Sequence, residues 1–228
     1  MKWDLNTFEN IRLLEKLDGT NIVFFPLIVD GKVIEVCTKT RLMPLTQEQW
    51  KQYIEEMVKK YPQILKAVEK EKVSISTELH GYRNAHAINY RLLDIPLDIR
   101  IFAILDKGMA LPFNKFKKIV EKYKLPLIDD IMLKVTTDKK YKEFISNSAF
   151  ESLPANKNEL YLALEEFFEI MNNKYKELYP KDVGIIVEGC VWHMDKNGET
   201  YMLKNKATTV KEHHIQIASG IEPIFIRQ

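Results

Sequence analysis

The chain has 228 residues, 46% of them hydrophobic, so it is long enough to bury a substantial core. Its 34 basic residues nearly balance 32 acidic ones, and the net charge of +2 excludes a strongly basic coat for nucleic acid but allows a local basic groove. Cys37 and Cys190 lack disulfide or metal spacing, which indicates a reducing compartment, and we expect a cytoplasmic protein. The polar, charged N-terminus and the absence of an apolar run of ~20 residues predict neither a signal peptide nor a membrane span.

Strands dominate the N-terminal region. Segments 10–17 and 21–29 read as strands on either side of Asp18-Gly19. A second Asp-Gly, at 30–31, joins 21–29 to the apolar run KVIEVCTKT. Asp-Gly between apolar runs is a strong hairpin signal, so the sequence predicts a hairpin at 30–31 and permits one at Asp18-Gly19.

A long helix is predicted next. Thr46 and Gln49 form a capping box at its start, and apolar residues then recur at helical spacing as far as Val68. Pro62 falls inside this pattern and is expected to kink or divide the helix, because proline removes a backbone donor.

The rest of the chain mixes strands and helices without a regular βαβ alternation. Further strands are predicted at 72–79, 97–105, 183–192, 200–207 and 213–218. Helices are predicted near 113–123, 138–148 and 157–177. No linker or repeat divides the chain, so we expect one domain over 1–228, an α+β fold of antiparallel sheets flanked by helices.

Three charged positions do not fit a simple reading of these strands. Glu188 lies in an apolar segment that should be buried, where a carboxylate needs an ion pair or a metal. Lys204 and Lys206 share one strand face, although a wet edge strand explains that pattern equally well. Glu78 ends another apolar strand. A structural salt bridge remains the alternative for Glu188.

With Lys16, two residues before Asp18-Gly19, these positions form an ordered set: K-x-D-G, an acid, E-G, then K-x-K. The set resembles the covalent nucleotidyltransferases, which comprise ATP-dependent DNA and RNA ligases and mRNA capping enzymes. The resemblance runs from about Leu13 to Lys206 through the blocks EKLDGTN, CTKTRL, STELHG, IRIFAILD, IVEGCVWH and YMLKNKA. A plain hairpin turn around Asp18-Gly19 is the alternative for the first block, and one short motif would not exclude it.

The resemblance implies a nucleotidyltransferase (ligase adenylation-domain) fold and a reaction. Lys16 would attack the α-phosphorus of ATP, expel pyrophosphate and form a lysyl–AMP intermediate. By the same resemblance, Lys204 and Lys206 would hold the α-phosphate, and Glu188 would position a hydrated Mg²⁺ or Mn²⁺. Glu78 and Arg41 would hold the ribose. Phe102, the aromatic of IRIFAILD, would stack on adenine.

Two residues point to the RNA ligases within this superfamily. DNA ligases and capping enzymes typically continue as K-x-D-G-x-R, but here that position is Asn21. In similar RNA ligases, the residue before the nucleophile, here Glu15, accepts a hydrogen bond from the adenine amino group, which favours ATP over GTP. A surface position on a strand is the alternative for Glu15. We therefore expect an ATP-dependent RNA ligase that joins 3′-OH and 5′-phosphate ends of RNA or of a nicked duplex.

Three features depart from the family pattern. His193 stands where lysine is common after E-G, and the expected aromatic–Asp pair is separated into Phe102 and Asp106, with Ile104 between them on the same strand face. The chain ends soon after Lys206, so no OB or other C-terminal domain is expected within it. A small ATP-dependent DNA ligase and a non-catalytic nucleotide- or RNA-binding module remain alternatives. The sequence indicates no oligomeric state.

Overall fold

A computed structural model describes residues 4–40, 48–84, 87–145, 147–182 and 184–208. The strands are β1 (Glu9–Glu15), β2 (Gly19–Val29), β3 (Lys32–Thr40), β4 (Ser74–His80), β5 (Asp98–Asp106), β6 (Met109–Ala110), β7 (Gly189–Lys196) and β8 (Glu199–Lys206). The helices are α1 (Glu48–Lys60), α2 (Gln63–Glu71), α3 (Phe113–Tyr123), α4 (Ile131–Thr137), α5 (Lys139–Lys142), α6 (Asn147–Glu151) and α7 (Lys157–Leu178), with 3₁₀ turns at Leu5–Thr7 and Tyr82–Asn84.

The strands form two antiparallel sheets. One sheet has the order β1-β7-β8, and the other has the order β3-β2-β4-β5-β6. β1 and β2 therefore belong to different sheets, although only three residues separate them. The hairpin permitted at Asp18-Gly19 was wrong: the chain crosses there from one sheet to the other. The hairpin at 30–31 is confirmed, because β2 pairs with β3 and both turn residues have positive φ angles.

Several predicted elements differ from the structure in a way that local chemistry explains. Pro62 does divide the first helical region, between α1 and α2, whereas Thr46 and the predicted strand 213–218 lie outside the described residues. The predicted helix 138–148 is not continuous: α5 starts after Asp138, which accepts a hydrogen bond from the backbone N–H of Lys140, but it ends at Lys142, and α6 begins at Asn147. The predicted strand 183–192 begins only at Gly189.

Each sheet packs its outer face against helices and keeps its own hydrophobic core. α7 covers the three-stranded sheet, where Phe168 and Met171 pack in one core with Trp192. α1, α2 and α3 cover the five-stranded sheet in a second core that contains Ile64 and Phe116. The inner faces of the two sheets are left to face each other across a cavity.

Residues 126–130, called the connector below, join the two sheets through the backbone. Its N-terminal part pairs with β5, where the N–H of Ile101 donates to the carbonyl of Pro126 at 2.8 Å. Its C-terminal part pairs with β1, where the N–H of Glu15 donates to the carbonyl of Asp129 at 2.9 Å. The connector thus closes one side of the cavity. Among the described residues, no helix is long and apolar enough to cross a membrane.

Gly189 is required where β7 begins. Its φ angle is +145°, and an added Cβ would lie 2.1 Å from the carbonyl oxygen of Asn205 in β8. Gly189→Ala should lower the free energy of unfolding by about 3 kcal/mol or more, because neither backbone can move without breaking the β7–β8 pairing. Urea denaturation measures this change.

Gly198, in the β7–β8 turn, provides the matched control. It also has a positive φ angle, +79°, but an added Cβ there meets no atom within 4 Å. Gly198→Ala should cost only about 1 kcal/mol, from the left-handed backbone alone. Equal losses for the two variants would contradict the close approach at Gly189.

Candidate active site

A cavity of about 730 Å³ lies between the inner faces of the two sheets. The three-stranded sheet lines it with Leu14, Lys16, Val191, His193, Met202 and Lys204. The five-stranded sheet lines it with Gly19, Thr20, Asn21, Thr40, Ser76, Glu78 and Phe102. Its size suits a small organic ligand.

Three charged side chains meet at one end of the cavity. The Glu188 carboxylate accepts from Lys16 Nζ at 2.7 Å through Oε2 and from Lys206 Nζ at 2.8 Å through Oε1. The Glu188 side chain is 3% exposed and the Lys16 side chain is 16% exposed. Two lysines against one carboxylate leave a local excess of positive charge, which favours an anion in this part of the cavity.

The backbone holds Lys16 in place from both sides. Its own N–H donates to the carbonyl of Gly189 at 2.9 Å, and the preceding residue is bonded to the connector. The N–H of Ala207, just past β8, donates to the carbonyl of Glu188 at 3.1 Å. The sheet therefore positions the Lys16–Glu188–Lys206 cluster, and strand alternation puts Lys204 on the same face as Lys206.

Asn21 and Glu78 lie opposite each other on β2 and β4, on the other wall of the cavity. Asn21 Nδ2 donates to the carbonyl of Thr77 at 3.3 Å. Burial raises the pKa of the Glu78 carboxyl to about 7, against the opposing attraction of Lys16. Glu78 therefore holds a proton well above the usual range of glutamate.

Asp18 and Gly19 explain why the crossover between the sheets needs the D-G pair. One Asp18 oxygen accepts from the backbone N–H of Ala87 and from that of Ile88, the latter at 3.2 Å. At Gly19, an added Cβ would lie 2.2 Å from the carbonyl oxygen of Leu79. The aspartate thus fastens the segment that follows β4, and the glycine lets β2 approach β4.

Phe102 reaches the cavity through a β-bulge. The β4–β5 register shifts between Ser76 and Thr77, so that Phe102 is an extra residue of β5 without a partner. It packs on a small apolar cluster of Leu14, Leu17 and Ile128. Ile104 lies instead in the core beneath α1–α3. The expectation that Phe102 and Ile104 share a strand face was wrong, because the bulge interrupts the alternation.

The Glu15 carboxylate is buried, with two partners that the sequence did not indicate. Oε2 accepts from Lys134 Nζ at 2.5 Å, and Oε1 accepts from the Tyr141 hydroxyl at 2.6 Å. The surface alternative for Glu15 was therefore wrong, since the residue is 3% exposed. Its contact with an adenine amino group stays a prediction. A carboxylate oxygen has two lone pairs, so Glu15 could accept from adenine in addition to Lys134 and Tyr141.

Arg41 lies outside the described residues. Among the described residues, no three His, Cys, Asp or Glu side chains converge to hold a metal ion directly. Glu188 nevertheless supplies the hard oxygen donor that Mg²⁺ and Mn²⁺ prefer, and both of its oxygens already accept from lysines. These residues fit an ion that is reached through its water shell, and the metal role of Glu188 stays a prediction.

The raised pKa of Glu78 predicts a pH-dependent stability. The folded protein keeps this proton up to about pH 7, while the unfolded chain loses it near pH ~4.3. The stabilisation is therefore complete below about pH 4 and is lost as pH rises through about 7. The glutamine of Glu78→Gln cannot ionise, so the variant should not lose this stability. The free energy of unfolding of the variant minus that of wild type should therefore rise by about 2 kcal/mol from about pH 5 to about pH 8.

Urea denaturation of both proteins across this range measures the difference. A matched Glu→Gln change at Glu143 serves as the control, because Glu143 is exposed and does not line the cavity. A constant difference between Glu78→Gln and wild type would contradict a protonated Glu78.

Comparisons with known proteins agree with this geometry. A family model described as RNA ligase matches residues 9–206. No curated protein sequence matches the chain. Among solved structures, an archaeal ATP-dependent RNA ligase is similar at 15% identity and a TM-score of 0.51, over 91% of this chain and 45% of that chain.

Two structures of the Naegleria gruberi RNA ligase are similar as well. A mutant with ATP and Mn shares 12% identity at a TM-score of 0.52, over 90% of this chain and 52% of that chain. A mutant with AMP and Mn shares 13% identity at a TM-score of 0.52, over 93% of this chain and 53% of that chain. The chain thus spans about half the length of these ligases and has their nucleotidyltransferase-type fold. Because the family model matches the chain from β1 to β8, the protein belongs to the RNA ligase family.

Proposed function

We propose that the protein is an ATP-dependent RNA ligase that charges itself with AMP on Lys16. The observation that carries this proposal is the Lys16–Glu188–Lys206 cluster at the charged end of the cavity. A lysine held by the backbone of two strands, beside an excess of positive charge, is placed to meet the α-phosphate of a nucleotide. Membership of the RNA ligase family supports the same reaction.

In the charging step, the neutral amine of Lys16 attacks the α-phosphorus of ATP. The Nζ–P bond forms while the bond from the α-phosphorus to the bridging oxygen breaks, and pyrophosphate leaves with the electron pair. An ammonium group is not a nucleophile, so Lys16 must first release one proton to solvent, and its nitrogen releases a second proton to solvent as the Nζ–P bond forms. Lys204 and Lys206 would offset the charge on the α-phosphate oxygens, since phosphoryl transfer depends mainly on alignment and electrostatics.

The wall of the cavity that the five-stranded sheet forms would hold much of the nucleoside. Phe102 presents an aromatic side chain on an apolar cluster, which suits stacking on adenine. Glu78, with Asn21 beside it and Arg41 from outside the described residues, would hold the ribose. A protonated Glu78 donates a hydrogen bond where a carboxylate only accepts. Glu15 would accept from the adenine amino group and favour ATP over GTP.

Glu188 would hold a hydrated Mg²⁺ or Mn²⁺, which offsets the charge on the phosphates when it is bound. We place the ion here because Glu188 offers carboxylate oxygens, which Mg²⁺ and Mn²⁺ prefer, next to the two lysines that would meet the phosphates. Because each carboxylate oxygen has two lone pairs, Glu188 could accept from metal-bound water without giving up its contacts with Lys16 and Lys206.

Two further steps would complete ligation. AMP would move from Lys16 to the 5′-phosphate of RNA, and a 3′-OH would then attack that end and release AMP. Both steps need the RNA end held beside the cavity. Because the chain spans about half the length of the similar ligases, how the RNA is held is part of the proposal.

Incubation with ATP labelled at the α-phosphate tests the charging step. Wild-type protein should become covalently labelled, and Lys16→Ala should lose the label by at least ~1,000-fold, because the attacking amine is gone. Lys117→Ala is the matched control, because Lys117 is an exposed lysine of α3 that pairs with Glu121 of the same helix. Persistent label on the Lys16→Ala protein, at another residue, would rule out this assignment.

The alternatives separate in the same assay. A non-catalytic binding module would give no covalent label with any nucleotide, and a capping-type enzyme would be labelled by GTP in preference to ATP. Nicked duplexes with either RNA or DNA at the 3′-OH side then distinguish the ligases. We expect sealing of the RNA-ended nick, whereas equal sealing of both would favour a DNA ligase.

Glu188→Ala should slow the labelling of Lys16 by at least ~100-fold, because it removes the carboxylate that bridges the two lysines and that would hold the metal. Omitting Mg²⁺ and Mn²⁺ should abolish labelling of wild type. The control is Glu71→Ala. Glu71, the last residue of α2, is also paired with a lysine at 2.7 Å, but this lysine is Lys122 of α3, outside the cavity. Near-normal labelling of Glu188→Ala would make Glu188 a purely structural residue.

A further inference from the structure

His193 lies in the middle of the cavity wall and has an unsatisfied ring nitrogen. It is paired with Arg12 of β1 on one side and with Met202 of β8 on the other. The residue lines the cavity and is 2% exposed. In the described part of the chain, Nε2 of its ring has no hydrogen-bond partner. A buried polar atom without a partner is rare in native proteins and calls for an explanation such as a missing ligand.

The surroundings of His193 keep its ring neutral. Burial lowers the pKa of His193 to about 3, and the neighbouring Arg12 guanidinium acts in the same direction. Arg12 is fixed there, because its guanidinium lies 4.5 Å from the ring centre of Phe113 and 4.9 Å from that of Phe116. A neutral imidazole offers one donor and one acceptor, so it suits a neutral polar group better than a phosphate.

The position of His193 along β7 separates it from the charged end of the cavity. His193 lies four residues after Gly189 along β7, which is about 13 Å of strand. Val191, two residues before it on the same face, pairs with Leu14, and Leu14 belongs to the cluster on which Phe102 packs. A base stacked on Phe102 would therefore lie near Val191, between the Lys16–Glu188–Lys206 cluster and His193. One edge of the base would then face the imidazole.

We propose that His193 is a specificity-determining residue that forms a hydrogen bond with the edge of the adenine base. This inference rests on the nucleotide-binding part of the proposed function and not on its ligation steps. The edge of adenine carries donors and acceptors in the ring plane, which match the in-plane donor and acceptor of a neutral imidazole. Rotation of the ring about its last side-chain bond presents either edge of the imidazole to the cavity without moving β7.

His193→Leu and His193→Gln test the inference, because leucine removes the polar atoms and glutamine keeps a donor and an acceptor. AMP is the probe for binding, measured by calorimetry, since it lacks the leaving group that labelling needs. His193→Leu should weaken AMP binding roughly 10-fold, and His193→Gln should recover part of that loss. In labelling with ATP, His193→Leu should raise KM by a similar factor and leave kcat nearly unchanged.

Analogues locate the contact on the base. Purine riboside triphosphate and the 1-, 3- and 7-deaza forms of ATP each lack one edge group of adenine. Wild type should bind one of them roughly 10-fold more weakly than ATP, and His193→Leu should not distinguish that analogue from ATP. The inference is overturned if His193→Leu discriminates among the analogues as wild type does, or if the variant lowers kcat alone.

The two proposals can fail separately. If ATP never labels Lys16 but AMP binding still depends on His193, the base contact stands and the ligase chemistry falls. If Lys16 is labelled normally and AMP binds equally to wild type and His193→Leu, the ligase chemistry stands and the base contact falls.

Discussion

The Glu188 carboxylate, shared between Lys16 and Lys206, is the interaction on which the rest of the site depends. Burying a charge is costly unless it is paired, and here one buried acid is compensated by lysines from two other segments of the chain. Glu188, just before β7, thus ties together the end of β1, through Lys16, and the end of β8, through Lys206. Because the pairing leaves one positive charge in excess, the cluster that stabilises this corner of the fold also prepares it for an anion.

A second buried carboxylate, Glu15, precedes Lys16 in the chain. Its negative charge is matched by one lysine, so this pair carries no excess of positive charge. It is satisfied by Lys134 and the Tyr141 hydroxyl, which fasten α4 and α5 to the end of β1. Glu15 and Lys16, neighbours in the chain, thus have different roles: Glu15 is tied to α4 and α5, and Lys16 keeps its amine at the cavity. Rigid support of this kind places a reactive group accurately without restricting its chemistry.

The α+β fold class followed from the order of predicted strands and helices. The convergence of Lys16, Glu188 and Lys206 followed only from the resemblance of their ordered motifs to the nucleotidyltransferases, because the strand pattern alone left a structural salt bridge for Glu188 and a wet edge strand for the lysines. The bulge at Phe102 was not predictable, since a one-residue shift in register depends on the β4 partner. Nor was the pairing of Glu15 with Lys134, which lies 119 residues away and carries no local signal. Likewise, the strand periodicity at Asp18-Gly19 fitted a hairpin, and only the assignment of β1 and β2 to separate sheets excludes it.

The crossover at Asp18-Gly19 also has a consequence for the order in which the protein can become functional during synthesis. β2 and β4 are made early and can pair as soon as they emerge, but β1 must wait for β7, and Lys16 meets Glu188 across 172 residues of sequence. Contacts of such long range form late, because the intervening loop must close first. A nascent chain therefore carries one wall of the cavity long before the other, and Lys16 stays without Lys204 and Lys206 until β8 has left the ribosome.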